Sequence, residues 1–456
     1  MYSCSCRFWT CALLSALFVY DTSFAQPVNP QASSFQVAVH QPQAAQSPSP
    51  NTKVDPKNQV ALQRRPGSTS SRYTKALAKG NGDETGVEGT YGTTTLKSVE
   101  SGLVYTTDIE FGTETFTAVI DTGSSDTWLV ENNFTCNKGA QSACEFGTPY
   151  KRTNTFRPIA NENFEISYSD GEFLDGIFGK EKVTLAGVTV NDQQVALVEK
   201  GSWEGDGTSS GVLGLGFPAN TRAFTGSDYS KDSAANQITY NPIFTSMYKE
   251  GSVPPLFSLA LERDGTGQLA VGGTPDVQFV PVFASSPFQM VTTSGTTAGK
   301  TQYTFYSITT NGFEYQSAQS NWNVGSWLTY FGNPNDPTKV QVLIDSGTTV
   351  NYLPQTIADA VNKLFEPAAA YNSPTGYYDV KCDAKVPEFG VKIGQEIFYI
   401  NSKDMIIHLD STTCITGVTS TGVGGNSILG HAFLKNVLAV FDVGASEMRF
   451  AAREYY

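Results

Sequence analysis

One segment of this chain occurs twice, and no other feature constrains the fold as much. Residues 118–125 read AVIDTGSS, and residues 342–349 read VLIDSGTT. Each copy is followed later in the chain by two apolar residues and a glycine, at 212–214 and at 428–430. Chance recurrence of strand and turn chemistry would not preserve this order in both halves. The sequence therefore predicts two halves of related design, each ending one strand in an Asp-hydroxyl-Gly-hydroxyl turn.

The residue types in each copy indicate chemistry rather than packing. Asp121 and Asp345 each follow a run of apolar strand residues, where an unpaired carboxylate is costly to bury. A glycine two positions later allows a tight turn and close approach of the backbone, and the neighbouring hydroxyls can donate hydrogen bonds to the carboxylates. The positions predicted to support the two carboxylates are Thr122, Gly123, Ser124, Ser346, Gly347 and Thr348.

We expect Asp121 and Asp345 to lie side by side if the two halves face each other. Two adjacent carboxylates do not both ionise readily, so they share a proton and titrate as a coupled pair. The ionised member can take a proton from a water while the protonated member polarises a peptide carbonyl. Such hydrolysis uses neither a metal nor another cofactor, and we expect none. It works best in acid, where the pair retains one proton.

With these two motifs and their apolar-apolar-Gly partners, the sequence resembles the pepsin family of aspartic endopeptidases from about Val104 to Ala451. The resemblance implies an all-β, bilobal, pepsin-like acid protease fold, in which two related β-barrel-like lobes enclose a cleft. It also implies hydrolysis of extended polypeptides, inhibition by pepstatin-type compounds, and a monomer without nucleic-acid or membrane partners. In this interpretation Asp121 and Asp345 are the catalytic residues.

The resemblance extends to the segment that would cover the substrate. Trp128 resembles the family's tryptophan that supports the flap tyrosine. Residues Tyr168, Ser169, Asp170 and Gly171 resemble the β-hairpin flap that closes over substrate, with Tyr168 as its tyrosine. The flap and Trp128 are therefore expected to take part in substrate binding.

Besides Gly80, which follows Lys79 where an aromatic residue is frequent, three positions depart from the family pattern. Ser169 stands where the flap usually has glycine, Glu172 where a small hydroxyl residue is common, and His431 where aspartate usually follows the second Leu-Gly. We expect the first two departures to alter the mobility of the flap and the charge of the pocket. Extra Gly-, Thr- and Asn-rich material at 293–300 and 322–337 is interpreted as surface insertions.

Composition agrees with a β-rich fold. Apolar residues make up 39% of the chain and charged residues only 16%, and short β-branched or aromatic runs alternate with Gly, Asn and Asp turns from Val104 onward. Short helices are predicted near 242–250 and 356–365. The net charge of −13 argues against a nucleic-acid partner, which would require a basic face.

The start of the chain has the pattern of a secretory signal peptide. Arg7 precedes an apolar run at 8–20, and Ser23 and Ala25 supply the small residues of a cleavage site. The run is short for a membrane span, and no later segment resembles one. Residues 1–25 are therefore predicted to be a signal peptide, and the protein to be secreted or delivered to an acidic vacuole.

Residues 26–85 are predicted to be an inhibitory pro-segment. The stretch is rich in Pro, Gln, Ser, Ala and Asn and has too little apolar surface to fold alone. Residues 72–79 resemble the end of fungal-type pro-segments, in which a lysine blocks the cleft, so Lys79 is the candidate; the alternative is a solvated linker. The N-terminal lobe, with the first catalytic Asp and the flap, would span 86–277, and the C-terminal lobe, with the second, 278–456.

The cysteines predict an oxidising compartment. Three of them would leave with the signal peptide, namely Cys4, Cys6 and Cys11. Four remain, and of the three possible connectivities the local pairing is the simplest. That pairing joins Cys136 to Cys144 and Cys382 to Cys414, which also resembles common disulfides of the pepsin family. No C-x-x-C or H-E-x-x-H spacing occurs, so no metal site is expected. Asn133 begins a glycosylation sequon.

Other functional classes fit the sequence less well. A Ser-His-Asp hydrolase would draw on His40, His408 or His431, but His40 lies in the predicted pro-segment and the others in strand-like segments. A non-catalytic binding or inhibitor protein with the pepsin fold would usually lack a catalytic aspartate or a supporting residue, and here all are present. An adhesion or wall protein would predict repeats or a C-terminal anchor, and residues 453–456 do not form the hydrophobic tail that we would expect of such an anchor.

Overall fold

The computed structural model describes residues 92–99, 102–137, 144–168, 171–292, 301–317, 332–422 and 425–453. The predicted signal peptide and pro-segment, together with Lys79, lie outside these residues, as do the flap residues Ser169 and Asp170.

Short strands dominate the described chain. Those of the first part are β1 (Gly92–Val99), β2 (Val104–Phe111), β3 (Glu114–Asp121), β4 (Thr127–Cys136), β5 (Arg157–Ser167), β6 (Phe173–Leu185), β7 (Val188–Ser202), β8 (Gly211–Gly214), β9 (Ala223–Thr225), β10 (Gln237–Ile238), β11 (Leu256–Leu261), β12 (Thr266–Val271) and β13 (Phe283–Pro287). Those of the second part are β14 (Val291–Thr292), β15 (Thr301–Gln302), β16 (Ser307–Thr309), β17 (Gly312–Gln316), β18 (Gly332–Asp336), β19 (Gln341–Ile344), β20 (Asn351–Leu353), β21 (Ala370–Asn372), β22 (Tyr377–Val380), β23 (Glu388–Ile393), β24 (Glu396–Tyr399), β25 (Ile406–His408), β26 (Cys414–Thr416), β27 (Val418–Ser420), β28 (Ser427–Leu429), β29 (Val437–Asp442) and β30 (Glu447–Ala452).

The α-helices of the described residues are few and short. They are α1 (Ile243–Lys249), α2 (Gln355–Asn362) and α3 (His431–Leu434). The first two begin directly after Pro242 and Pro354, because proline is tolerated where a helix starts but not within it. Both predicted helices are confirmed, although α2 ends before 365. The prediction for His431 is wrong: it begins α3 instead of lying in a strand.

The two halves repeat one arrangement of three strands around their motifs. In the first half β8 lies between β3 and β4, parallel to β3 and antiparallel to β4. In the second half β28 lies between β19 and β20 with the same directions. The apolar pairs of the apolar-apolar-Gly segments lie in these central strands, β8 and β28, and Gly430 directly follows β28. The internal sequence repeat is therefore a structural repeat.

The C-terminal strands join the two halves. A 15-stranded sheet runs from the first half through β2, β1, β12 and β11 to β29, β30 and β13. In it β11 pairs antiparallel with β29, and Phe257 stacks on Phe441 with ring centroids 4.4 Å apart. Each fully buried side chain of this size stabilises the fold by about 1.5–3 kcal/mol. This one sheet therefore contains strands from both ends of the described chain.

The described residues include two disulfides and the exposed asparagine of the sequon. Cys136 is bonded to Cys144 with Cα atoms 5.8 Å apart, and Cys382 to Cys414 with Cα atoms 5.3 Å apart. Asn133, near the end of β4, is exposed. Among the described residues, no helix is long and apolar enough to cross a membrane.

Candidate active site

The two candidate catalytic aspartates stand at equivalent ends of equivalent strands. Asp121 is the last residue of β3, and Asp345 directly follows β19. Both are buried, with exposed fractions of 0% and 1%. The apolar residues that precede each aspartate are core residues of its strand, and they carry the carboxylate into the interior.

Each carboxylate receives the same two hydrogen bonds from its own turn. The Gly123 N–H donates to Oδ1 of Asp121 at 2.7 Å, and the Ser124 hydroxyl donates to Oδ2. In the second half the Gly347 N–H donates to Oδ1 of Asp345 at 2.8 Å, and the Thr348 hydroxyl donates to Oδ2 at 2.6 Å. These are the supporting roles that the turn sequence predicts, and they fix both carboxyl planes.

The structure brings the two turns into direct contact. A methyl group on Gly123 would lie 2.7 Å from both Cγ and Oδ1 of Asp345, so only glycine permits this approach. Asp121 also hydrogen-bonds the carboxyl of Asp345. Burial, and then the charge of Asp345, raise the pKa of Asp121 well above its ordinary value. The pair therefore holds a proton in acid.

The hairpin formed by β5 and β6 carries the candidate flap. Tyr168 and Glu172 close it through a hydrogen bond from the Tyr168 N–H to the Glu172 carbonyl, and Gly171 takes a φ of 92° that favours glycine. The Trp128 indole donates to the Tyr168 hydroxyl at 3.0 Å. Burial, and then the charge of Asp121, raise the pKa of Tyr168 well above its ordinary value. Tyr168 therefore lies within electrostatic reach of the candidate dyad.

Glu172, noted from sequence only as a departure, has a structural partner. It is buried, with an exposed fraction of 7%, and its Oε1 accepts a hydrogen bond from the Glu204 N–H. The base of the flap is thereby attached to the segment after β7. The neighbouring Trp203 packs edge-on against both Trp128 and Tyr168, with ring centroids 5.2 Å and 5.6 Å away.

Asp126 is a second buried carboxylate that sequence reasoning missed. It accepts hydrogen bonds from the Tyr240 hydroxyl at 2.7 Å and from the Arg222 N–H at 3.0 Å. Burial outweighs these bonds and raises the pKa of Asp126 to about 6. The Arg222 guanidinium in turn donates to the carboxylate of Glu165 on β5, at 2.8 Å. The signal available in the sequence was the position of Asp126, directly after the first turn.

One group of described residues has the spacing of metal ligands. The ligand atoms of Cys382, His408 and Cys414 lie within 4.8 Å of one another. The two sulfurs are bonded to each other, and a disulfide offers no thiolate to a metal ion. In this oxidised form the group does not fit a zinc centre, which requires deprotonated cysteines.

Two buried carboxyls that share a proton can activate a water between them for attack on a peptide carbonyl, and this chemistry is that of aspartic peptidases. The model of the family described as eukaryotic aspartyl protease matches residues 104–453. The chain belongs to that family, whose members act on polypeptides.

Known proteins with similar sequences include an endopeptidase and a pepsin. A probable aspartic-type endopeptidase of Aspergillus fumigatus is 39% identical over 382 residues, which are 79% of this chain and 81% of that protein. Penicillopepsin-1 of Talaromyces stipitatus is 27% identical over 406 residues, which are 87% of this chain and 92% of that protein. The protein is accordingly an aspartic-type endopeptidase.

A solved structure has the same fold. The crystal structure of an aspartic proteinase from Irpex lacteus aligns with a TM-score of 0.59 at 18% identity, over 80% of this chain and 98% of that chain. The comparison confirms the predicted all-β, bilobal, pepsin-like fold.

Proposed function

We propose that Asp121 and Asp345 are the catalytic residues of this endopeptidase and that they hydrolyse peptide bonds in acid. The observation that carries this assignment is the matched pair of carboxyls. Each is buried and bonded by its own Gly N–H and its own hydroxyl, and the two are hydrogen-bonded to each other. Two buried carboxyls with this arrangement hold one proton between them in acid.

The shared proton allows the pair both to activate the water and to protonate the carbonyl oxygen. The ionised carboxylate takes a proton from a water whose oxygen attacks the carbonyl carbon, and the protonated carboxyl gives its proton to the carbonyl oxygen. The carboxyl that took the water proton then gives it to the amide nitrogen, and the C–N bond breaks. One hydroxyl of the tetrahedral diol returns its proton to the other carboxylate as the carboxylic acid product forms. The carboxyl pair ends as it began, with one proton.

The flap is proposed to hold the substrate over this pair. Tyr168 and Gly171 would contact an extended peptide, and Trp128 would position Tyr168 through the indole hydrogen bond at 3.0 Å. Ser169 and Asp170, which lie outside the described residues, are proposed to complete the flap. An extended peptide suits such a site because its main chain can form strand-like hydrogen bonds.

The enzyme is proposed to be made as a secreted zymogen. Residues 1–25 would direct export, and residues 26–85 would act as an intramolecular inhibitor, with Lys79 pairing with the ionised dyad. Protonation of the dyad in acid would weaken that ion pair and release the segment. The mature lobes would then span 86–277 and 278–456. The destination is proposed to be the cell exterior or an acidic vacuole.

Three smaller assignments complete the proposal. The mature enzyme is a monomer, it binds pepstatin-type inhibitors, and it carries a glycan on Asn133. The exposure of Asn133 in a strand end supports the last of these, because the side chain is accessible to a transferase.

The assignment of the dyad is tested by hydrolysis of denatured haemoglobin at pH 3–4 and at pH 7, with and without pepstatin. The variants are Asp121→Asn and Asp345→Asn, and the control is Asp228→Asn, an exposed aspartate paired with Lys231. We expect cleavage in acid that falls by at least about a thousandfold in either dyad variant and not in the control. Absence of cleavage by folded enzyme lacking residues 1–85 would favour a non-catalytic binding protein.

The role of the pro-segment is tested separately. Acid treatment of the full-length protein should produce a new N-terminus after Lys79, as read by N-terminal sequencing. A Lys79→Gln precursor should be active at a higher pH than the unmodified precursor, whereas Lys75→Gln should behave as the unmodified precursor does. A new N-terminus well before Lys79 would contradict the assignment.

A further inference from the structure

We propose that His431 is a positioning residue that polarises the Ser346–Gly347 peptide. It thereby strengthens the hydrogen bond from the N–H of that peptide to the Asp345 carboxylate. The inference rests on the proposed catalytic role of Asp345. It concerns a residue that departs from the usual pattern of the family and that belongs to neither turn.

A single peptide unit connects His431 to Asp345. The Nε2–H of His431 donates to the Ser346 carbonyl at 2.7 Å, and the N–H of the same peptide, on Gly347, donates to Oδ1 of Asp345 at 2.8 Å. A carbonyl that accepts a hydrogen bond makes the N–H of its own peptide a better donor, because hydrogen bonds in a chain polarise one another. A stronger donor stabilises the ionised form of the carboxylate.

The geometry fixes the tautomer of the imidazole. A carbonyl oxygen only accepts hydrogen bonds, so Nε2 of His431 must carry the proton. The side chain is almost fully buried, with an exposed fraction of 1%, and it begins α3 directly after β28. The ring is therefore held between the central strand of the second half and the turn that carries Asp345.

The surroundings keep this donor in one charge state. The Tyr105 ring of β2 packs edge-on against the imidazole with centroids 5.0 Å apart, and Lys435 lies at the end of α3. Burial, and then the charge of Lys435, lower the pKa of His431 to about 3. The charges that face Lys435 are Asp404 and Arg263. The imidazole is thus neutral over most of the acid range, and its donation does not vary with pH there.

At the equivalent position the first half carries an apolar residue instead of a side-chain donor. The residue after its apolar-apolar-Gly segment is Leu215, a buried apolar residue where the second half has His431. The bonds from Gly123 and Ser124 to Asp121 match those from Gly347 and Thr348 to Asp345, so the nearest partners of the two carboxyls do not distinguish them. The surroundings of the two carboxyls differ one residue further away, because His431 donates to the peptide that binds Asp345 and Leu215 cannot do the same in the first half.

The test is the pH profile of kcat/KM on fluorescein-labelled casein from pH 2.5 to 6.5. His431→Leu installs the side chain found in the first half and removes the donor, whereas His431→Gln keeps an N–H at the end of its side chain. We expect His431→Leu to lower kcat/KM about tenfold at the optimum, which is the effect of one hydrogen bond, and to move the profile to higher pH. His431→Gln should recover most of both changes.

The control and a stability measurement separate positioning from folding. His408→Leu makes the same substitution at an exposed histidine of β25 and should leave the profile in place. Thermal unfolding of each variant shows how much of the lost activity is due to a smaller folded fraction of the enzyme. If His431→Leu lowers only stability and leaves the profile unmoved, the inference is wrong. If the unmodified enzyme does not cleave casein in acid at all, the proposed function fails instead.

Discussion

Thr122 and Ser346 exchange hydrogen bonds across the boundary between the two halves. The Thr122 hydroxyl accepts from the Ser346 N–H at 2.9 Å and donates to the Ile344 carbonyl at 2.9 Å. The Ser346 hydroxyl accepts from the Thr122 N–H at 3.1 Å and donates to the Ile120 carbonyl at 3.0 Å. Each hydroxyl therefore binds the backbone of the opposite turn, next to its aspartate. This exchange sets the position of one carboxyl relative to the other.

Removal of one of these hydroxyls should weaken both folding and catalysis. Ser346→Ala leaves the Thr122 N–H and the Ile120 carbonyl without this partner in a buried site. Each buried orphan costs about 1–3 kcal/mol, so the free energy of unfolding should fall by roughly 2–6 kcal/mol. We expect kcat to fall by a larger factor than KM rises, because the two carboxyls are no longer held at a fixed position relative to each other. Urea unfolding and steady-state kinetics measure the two effects.

The matched control for that variant is Ser346→Thr, since threonine is the residue that the first half uses at the equivalent position, Thr122. It retains the hydroxyl and should retain most of the stability and activity. Equal losses in Ser346→Ala and Ser346→Thr would show that side-chain volume, not hydrogen bonding, matters at this position.

Close approach of the turns makes Gly123 irreplaceable. In Gly123→Ala the new methyl would lie 2.7–2.8 Å from the carboxyl atoms of Asp345, so the two turns must separate. We expect loss of nearly all hydrolysis, while the lobes remain folded by circular dichroism. The control is Gly187→Ala, at a turn with φ of 78° and open space around the new methyl. It should cost about 1–2 kcal/mol of stability and leave activity intact. Activity in Gly123→Ala would contradict the packing of the turns.

The indole of Trp128 has a hydrogen-bonding role that its neighbour Trp203 lacks. Trp128→Phe removes the donor to the Tyr168 hydroxyl and leaves that buried hydroxyl without it. Within the described residues, Nε1 of Trp203 has no hydrogen-bond partner, so Trp203→Phe removes a similar volume without that loss. We expect Trp128→Phe to raise KM and to lower kcat/KM by about tenfold, the effect of one hydrogen bond. Equal effects from both variants in peptide kinetics would assign the role of Trp128 to packing alone.

The sequence predicts the parts of this site that lie close together along the chain. Asp121 is hydrogen-bonded within its own turn, by Gly123 and Ser124. Because both donors lie within three residues of Asp121, the local sequence is enough to predict them. The repeat also predicts that β8 and β28 have equivalent places, because equivalent segments follow each motif.

The parts that the sequence does not predict depend on distant pairing. Strand β29 pairs with β11 of the first half, and nothing in its apolar sequence distinguishes that partner from any other buried strand. His431 is visible as a departure from the family pattern, but its bond to the Ser346 carbonyl depends on how α3 meets the second turn. Arg222 and Tyr240 become partners of Asp126 only when the segments before β9 and after β10 reach the residue that precedes β4.

The buried carboxyl of Asp126 should make stability depend on pH. Its pKa is about 6 in the folded chain against an ordinary 3.8, because burial disfavours the charge. Between about pH 4 and pH 6 the unfolded chain loses this proton before the folded chain does, so the free energy of unfolding falls as pH rises and levels off above pH 6. At about 1.4 kcal/mol per unit of pKa difference, the loss is as much as roughly 3 kcal/mol.

Asp126→Asn should remove this dependence, since the amide oxygen still accepts from the Tyr240 hydroxyl and the side chain cannot ionise. We expect urea unfolding at pH 4, 5, 6 and 6.5 to give a flatter profile for Asp126→Asn, with both chains carrying Asp345→Asn to prevent self-digestion. Only the slopes are compared, so a uniform loss of stability in the variant does not obscure the result. Asp228→Asn is the control: a bond from Lys231 lowers the pKa of Asp228 to about 2, below the tested range, and its slope should match the parent. Parallel profiles for Asp126→Asn and its parent would show that Asp126 is already ionised at pH 4, with the hydrogen bonds from Tyr240 and Arg222 outweighing its burial.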